Sequence, residues 1–113
     1  MEATFDSSGY PTEEALDVLA KWDYADPAGA FLYMSTLWNH SMGWFSQKES
    51  IIEPLFHDRD AVDDRVWYCC ATGGWSGNED VIAALQQNTV LWLFSWSASV
   101  RGGYYEFNFC TSK

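Results

Sequence analysis

At 113 residues the chain has the length of one domain, and sixteen Asp and Glu against six Lys and Arg give it a formal charge of −10. A surface that acidic repels phosphate backbones and anionic lipid, which argues against direct nucleic-acid binding and against a basic membrane-surface role. The longest apolar run, Val90 to Phe94, is far too short to span a bilayer, and MEATFDSSGYP lacks the features of a signal peptide, so a cytoplasmic protein is expected.

Seven Trp, seven Phe and six Tyr make up 18% of the chain, enough apolar area for a core without covalent staples. They are also more than a core of this size hides completely, so part of the set is expected to face a partner. Three cysteines are an odd count, and the adjacent pair Cys69 and Cys70 must point to opposite faces of any strand. Neither a disulfide framework nor a zinc spacing is present, and no cofactor or metal is expected.

In chain order, residues up to about Tyr10 read as a lead-in. Thr12 is a good N-cap for a helix from Glu13 to about Trp22, with Glu13 and Glu14 in the first turn where the helix dipole favours them. Leu16, Leu19 and Ala20 form its inward stripe, with Ala15 and Trp22 at the edge. Asp26-Pro27 signals a second start, an N-cap followed by proline at the first helical position, and the helix is expected to run to about His40. Trp44 and Phe45 follow the Gly43 stop. Residues 47 to 65 form a charged connection containing HDRDAVDDR, His57 to Arg65.

Val66 to Thr72 has strand composition, and Gly73-Gly74 ends it. Ser76 and Glu79 have the spacing of a capping box opening a helix to about Gln87. Thr89 to about Val100 is expected to be an interior strand, because Val90, Trp92, Phe94 and Trp96 alternate with Leu91 and Leu93 and make both faces apolar at its start. Arg101-Gly102-Gly103 reads as a hairpin turn, and Tyr104 to Cys110 as the returning strand with Tyr105, Phe107 and Phe109 in its apolar row. The expected fold class is α+β: a small three- to four-stranded, mainly antiparallel sheet packed with three helices. It divides into a helical part (1–46), the charged connection (47–65) and a strand–helix–hairpin core (66–110).

No reaction is specified by these residues, and a non-enzyme is expected. The TGGWSGNE turn, Thr72 to Glu79, lacks a phosphate-binding lysine and carries Glu79 and Asp80, which favours a structural turn over an anion site. Asp58, Asp60, Asp63 and Asp64 supply oxygen ligands, but no mid-loop glycine or closing glutamate completes a calcium loop, and Arg59 and Arg65 can neutralise them. Cys69 and Cys70 lie between aromatics in mid-strand, which argues against a thiolate nucleophile activated by His40 or His57. Partner-binding candidates fall in two sets. The acidic set is Glu13, Glu14, Asp17, Asp23 and Asp26, with Asp58, Asp60, Asp63 and Asp64 as a second cluster. The aromatic set flanks the hairpin: Trp96, Arg101 and Tyr104, beside Trp92 and Tyr105.

Ala71 to Phe109, ATGGWSGNEDVIAALQQNTVLWLFSWSASVRGGYYEFNF, resembles small uncharacterised proteins of bacteriophages and prophages. The shared pieces are TGGWSGNE, the helix after it, the tryptophan-rich segment and RGG-Y at Arg101 to Tyr104. The resemblance implies a setting inside a bacterial host and no activity or catalytic residue. Setting and charge together lead to the expectation of a small inhibitor that binds a basic host defence protein, anti-CRISPR or anti-restriction in style, by imitating nucleic-acid charge. Such imitation needs segregated charge, since a domain about 34 Å across spans duplex carrying roughly 20 phosphates. The alternatives are an adaptor acting through the aromatic hairpin and a metal- or thiol-dependent enzyme. Monomer and homodimer both remain open.

Overall fold

The computed structural model describes residues 4–47 and 65–110, which fold into four helices and a four-stranded antiparallel sheet. In chain order these are α1 (Glu13–Ala20), α2 (Pro27–Leu37), β1 (Trp44–Gln47), β2 (Arg65–Ala71), α3 (Ser76–Gln87), α4 (Thr89–Ser95), β3 (Trp96–Val100) and β4 (Tyr104–Cys110). The α+β expectation holds, with one helix more than the sequence pattern suggests.

The first two helices start where the capping residues place them. Thr12 Oγ1 accepts from Ala15 N at 3.1 Å, and Asp26 Oδ1 accepts from Gly29 N at 3.1 Å. Asp26 also accepts from Trp22 Nε1 at 3.1 Å, which fixes the corner between α1 and α2. Tyr33 completes that corner: its ring stacks on Trp22 with centroids 5.2 Å apart, and its hydroxyl donates to Ala15 O. The lead-in is a tight loop closed by a Phe5–Pro11 bridge, with the Asp6 carboxylate accepting from Ser8 N and Tyr10 N.

Strand order is β1-β2-β4-β3, so the last strand lies inside the sheet and β3 at its edge. β2 and β4 pair along their whole length, with Tyr68 opposite Phe107 and Cys70 opposite Tyr105. Alternation therefore sends Val66, Tyr68, Cys70, Tyr105, Phe107 and Phe109 to one face. Against that face lies the helical layer, and Phe31 of α2 is its centre. Phe31 packs on Tyr68, Phe107 and Phe109 with ring centroids 5.1–5.4 Å apart and on Phe45 at 6.5 Å. Leu19 of α1, Val81 and Leu85 of α3 and Leu91 of α4 join the same cluster, so both halves of the chain share one core. Such packing is why the helices form at all, since segments of 7 to 12 residues are marginal in isolation.

Two expectations fail. Thr89 to Val100 is not one interior strand: its first seven residues are α4, and only Trp96–Val100 is strand, at the sheet edge rather than inside. A short run apolar on every side satisfies both periods, and tertiary contacts decide between them. Here Asn88 decides. Its Nδ2 donates to Leu19 O and Trp22 O, pinning the α3–α4 corner to the end of α1, while its carbonyl accepts from Trp92 N to begin a new helical turn. Leu91 and Ser95 are then buried, Trp92 lies against Phe107, and Leu93 and Phe94 are left in solvent.

The Ser76 capping box is likewise not formed. The N-cap of α3 is Trp75, with no side-chain cap bond, and Ser76 Oγ instead meets the Tyr10 hydroxyl at 3.0 Å. A residue 66 positions away has taken the oxygen that the local pattern assigned to the cap. Thr12→Ala should therefore lower stability by about 1 kcal/mol in urea denaturation, whereas Ser76→Ala should cost only about 0.3 kcal/mol. Equal losses would contradict the assigned caps.

Candidate functional site

Helices α1 and α3 run parallel, and both ends are tied. At the N-terminal end the Tyr10 ring lies tilted against Trp75, centroids 4.7 Å apart, and its hydroxyl meets Ser76; at the C-terminal end Asn88 holds the Leu19 carbonyl of α1 and the Trp22 carbonyl just after it. Between the two helices runs an open groove of about 550 Å³. Glu13, Glu14 and Asp17 of α1 and Asp80 of α3 line it, over an apolar floor that includes Leu16 and Ala84. Sequence reasoning named the three α1 carboxylates as partner-binding candidates but Asp80 only as a charge beside the TGGWSGNE turn. The available signal was Asp80, Ala83, Ala84 and Gln87 at three- and four-residue spacing, a face with small residues where another helix can approach.

The groove's field is smaller than a count of carboxylates suggests. Two helix N-termini side by side contribute together about one positive charge, and Lys21 Nζ lies 3.1 Å from the Asp17 carboxylate. About two negative charges are left uncompensated, facing solvent where salt screens them.

The remaining acidic candidates stand apart from the groove. Asp23 accepts from Ala25 N at 2.9 Å and Asp26 caps α2, so both carboxylates are engaged in the α1–α2 corner. Asp58, Asp60, Asp63 and Asp64 lie outside the described residues. Among the described residues no group of three or more His, Cys, Asp or Glu side chains could hold a metal ion.

The hairpin candidates are divided between the two faces of the sheet. Trp96 is paired with Phe107 and stacks on Trp92, on the helical face, and its Nε1 donates to Ser99 Oγ at 2.8 Å. Tyr104, three residues from Phe107, points to the opposite face and donates to the buried Glu106 carboxylate at 2.6 Å. Burial and that carboxylate push the Tyr104 phenol well above its ordinary range. Arg101 is exposed at the turn, where Gly102 and Gly103 supply the positive φ the connection requires.

The TGGWSGNE turn joins β2 to α3 and uses its polar groups internally. Gly73 adopts a φ of +67° with its α-carbon against the Met42 carbonyl, where any side chain would collide. Gly74 N donates to Thr72 Oγ1 and Trp75 N to Thr72 O, so these amides are not presented to an anion. Asn78, fully buried, accepts from Asn39 N at 2.8 Å and donates to Asn39 O and Thr72 O. Cys69 and Cys70 are both buried, and burial pushes the Cys70 thiol far up, with Cys69 adding to the rise. A thiol in that environment is not ionised and is a poor nucleophile.

Among the described residues no helix is long and apolar enough to cross a membrane. Comparison with known protein families, curated proteins and solved structures finds no match.

Proposed function

We propose that the protein binds a basic protein surface, one that ordinarily holds nucleic acid, and inhibits its partner by occupying it. The observation carrying this reading is that Glu13, Glu14 and Asp17 meet Asp80, more than sixty residues away in sequence, across one solvent-open groove. The finer reading, a host defence effector of CRISPR or restriction type as partner, rests on the resemblance of Ala71–Phe109 to phage-encoded proteins.

Magnitude limits the mechanism. Duplex DNA presents one charge per about 1.7 Å of axis, and about two uncompensated charges at the groove do not imitate that density. The groove acts instead as an acidic patch that steers encounter with a basic surface and adds polar contacts at the rim of the interface.

Affinity capture from bacterial lysate tests the proposal, comparing the native chain with a triple variant, Glu13→Gln, Glu14→Gln and Asp80→Asn. A basic nucleic-acid-binding protein should be retained by the native chain at low salt and displaced by added DNA. The triple variant should bind it at least about tenfold more weakly while keeping the native circular dichroism spectrum. Retention that ignores both the triple substitution and competing DNA would defeat the proposal.

A further inference from the structure

A second surface differs from the groove in every respect. Between Asp80 and Arg101 lie twenty residues, Val81 to Val100, with no charged side chain, in a chain that is 19% charged. The second half of this stretch is also unusually exposed. Leu93 is 70% and Phe94 73% accessible, and Val90 lies on the same helical face at the i, i+3, i+4 spacing. Trp96 follows at once, 44% accessible and stacked on Trp92. It begins β3, whose outer edge pairs with no other strand among the described residues.

That edge carries no charged or proline guard, and its one interruption lies at its start. Trp96–Val100 contains neither proline nor lysine, and after the irregularity between Trp96 and Ala98 the ladder from Ala98 to Val100 is regular. An open strand edge beside an apolar helical face offers backbone hydrogen bonds and a dry contact together.

We propose that this α4–β3 surface is where a second copy of the chain docks, β3 against β3 in antiparallel pairing about a two-fold axis. Charge decides where on the surface a second copy can sit. Two molecules of net charge −10 repel each other wherever their carboxylates face, and this neutral stretch is where the repulsion is least. The area agrees. Val90, Leu93, Phe94 and Trp96 leave on the order of 400 Å² of apolar surface accessible on the helical side, taking about 150–250 Å² for a large side chain. Val100, paired with Tyr104, adds to the edge on the opposite face. An isologous interface of standard size buries about 800 Å² per partner, of which roughly 500 Å² is apolar. The pairing would continue the four-stranded sheets of two copies into one.

Sedimentation velocity and light scattering test the proposal at about 100 μM, above the micromolar end of the range for an interface of this size. The native chain should run at twice its mass of 12.9 kDa, and should still do so in about 0.5 M salt. The double variant Leu93→Lys, Phe94→Glu changes two side chains outside the core. It should keep the native melting temperature and circular dichroism while weakening association at least tenfold. The groove variant Glu13→Gln, Glu14→Gln, Asp80→Asn should remain a dimer, which separates this surface from the one proposed for inhibition. A native chain of single mass at about 100 μM would overturn the proposal and leave the edge to an extended peptide from another protein. A dimer that survives the Leu93 and Phe94 substitutions would overturn it as well.

Discussion

Phe31→Ala is expected to destabilise the fold by about 3–5 kcal/mol, a large part of the roughly 5–15 kcal/mol that holds a domain of this size together. The ring is completely buried and makes aromatic contacts with β1, β2 and β4 at once, so its removal opens a cavity at the one point where the helical layer meets three strands. The stacked and tilted arrangements add to the loss beyond the area buried. Urea denaturation should show a lower midpoint with an unchanged slope, and a melting temperature lower by roughly 10–20 °C. Leu32, the next residue on α2, is 63% exposed, and Leu32→Ala should stay within about 0.5 kcal/mol of the native chain. A Phe31→Ala loss below about 1.5 kcal/mol would mean that the core can close over the site, and Phe31 is not its centre.

Asn78→Ala should cost about 3 kcal/mol, for a different reason. The side chain fills no large volume; it satisfies Asn39 N, Asn39 O and Thr72 O from inside the protein. Thr72 is itself buried, and its carbonyl would keep only the Trp75 amide as donor, while Asn39 N would lose its acceptor where water enters poorly. Asn78→Asp keeps the shape and the acceptor for Asn39 N but turns a donor into an oxygen facing two carbonyls. Burial and those carbonyls would raise the new carboxyl above its unfolded value of about 3.9. A group whose folded pKa is raised costs stability above its unfolded pKa and none below it. The Asn78→Asp variant should therefore be weakest near pH 7 and recover toward about pH 4 relative to the native chain, measured by urea midpoints at both pH values. An Asn78→Ala loss below about 1 kcal/mol would sink the claim that this residue staples α3 to the segment after α2.

Much of the fold can be read from residues whose effect is local. Thr12 and Asp26-Pro27 mark the starts of α1 and α2 because each cap's side chain holds the amide three residues on. Gly73-Gly74 and Gly102-Gly103 mark the two turns because few other residues tolerate those φ values. The composition of β2 and the apolar row of β4 carry the strand signal.

What stays hidden is decided by partners far along the chain. Ser76 has the pattern of a cap, yet Tyr10 holds its hydroxyl. Asn88 reads as a helix stop, which is half its role, since its amide also holds the end of α1 and sets the direction of α4. Nothing local tells that Asn78 and Glu106 are buried, because polar residues on α3 and β4 look like solvent positions until both layers are in place. The groove is hidden in the same way. Three of its carboxylates lie on one predicted helix, but Asp80 reaches them only because α1 and α3 dock in parallel, which Tyr10 and Asn88 enforce from opposite ends.

The order of strands has a consequence for synthesis. Among the described elements β4 comes last in the chain, and it lies between β2 and β3, which have no ladder with each other. A growing chain can fold its β1–β2 hairpin early, but β3 must wait, with Val90, Leu93 and Phe94 beside it in solvent. Chains interrupted before Tyr104 would leave two unfinished sheet edges instead of a smaller native sheet, and are the species most prone to aggregate. Closure of the four-stranded sheet thus waits on the seven residues of β4.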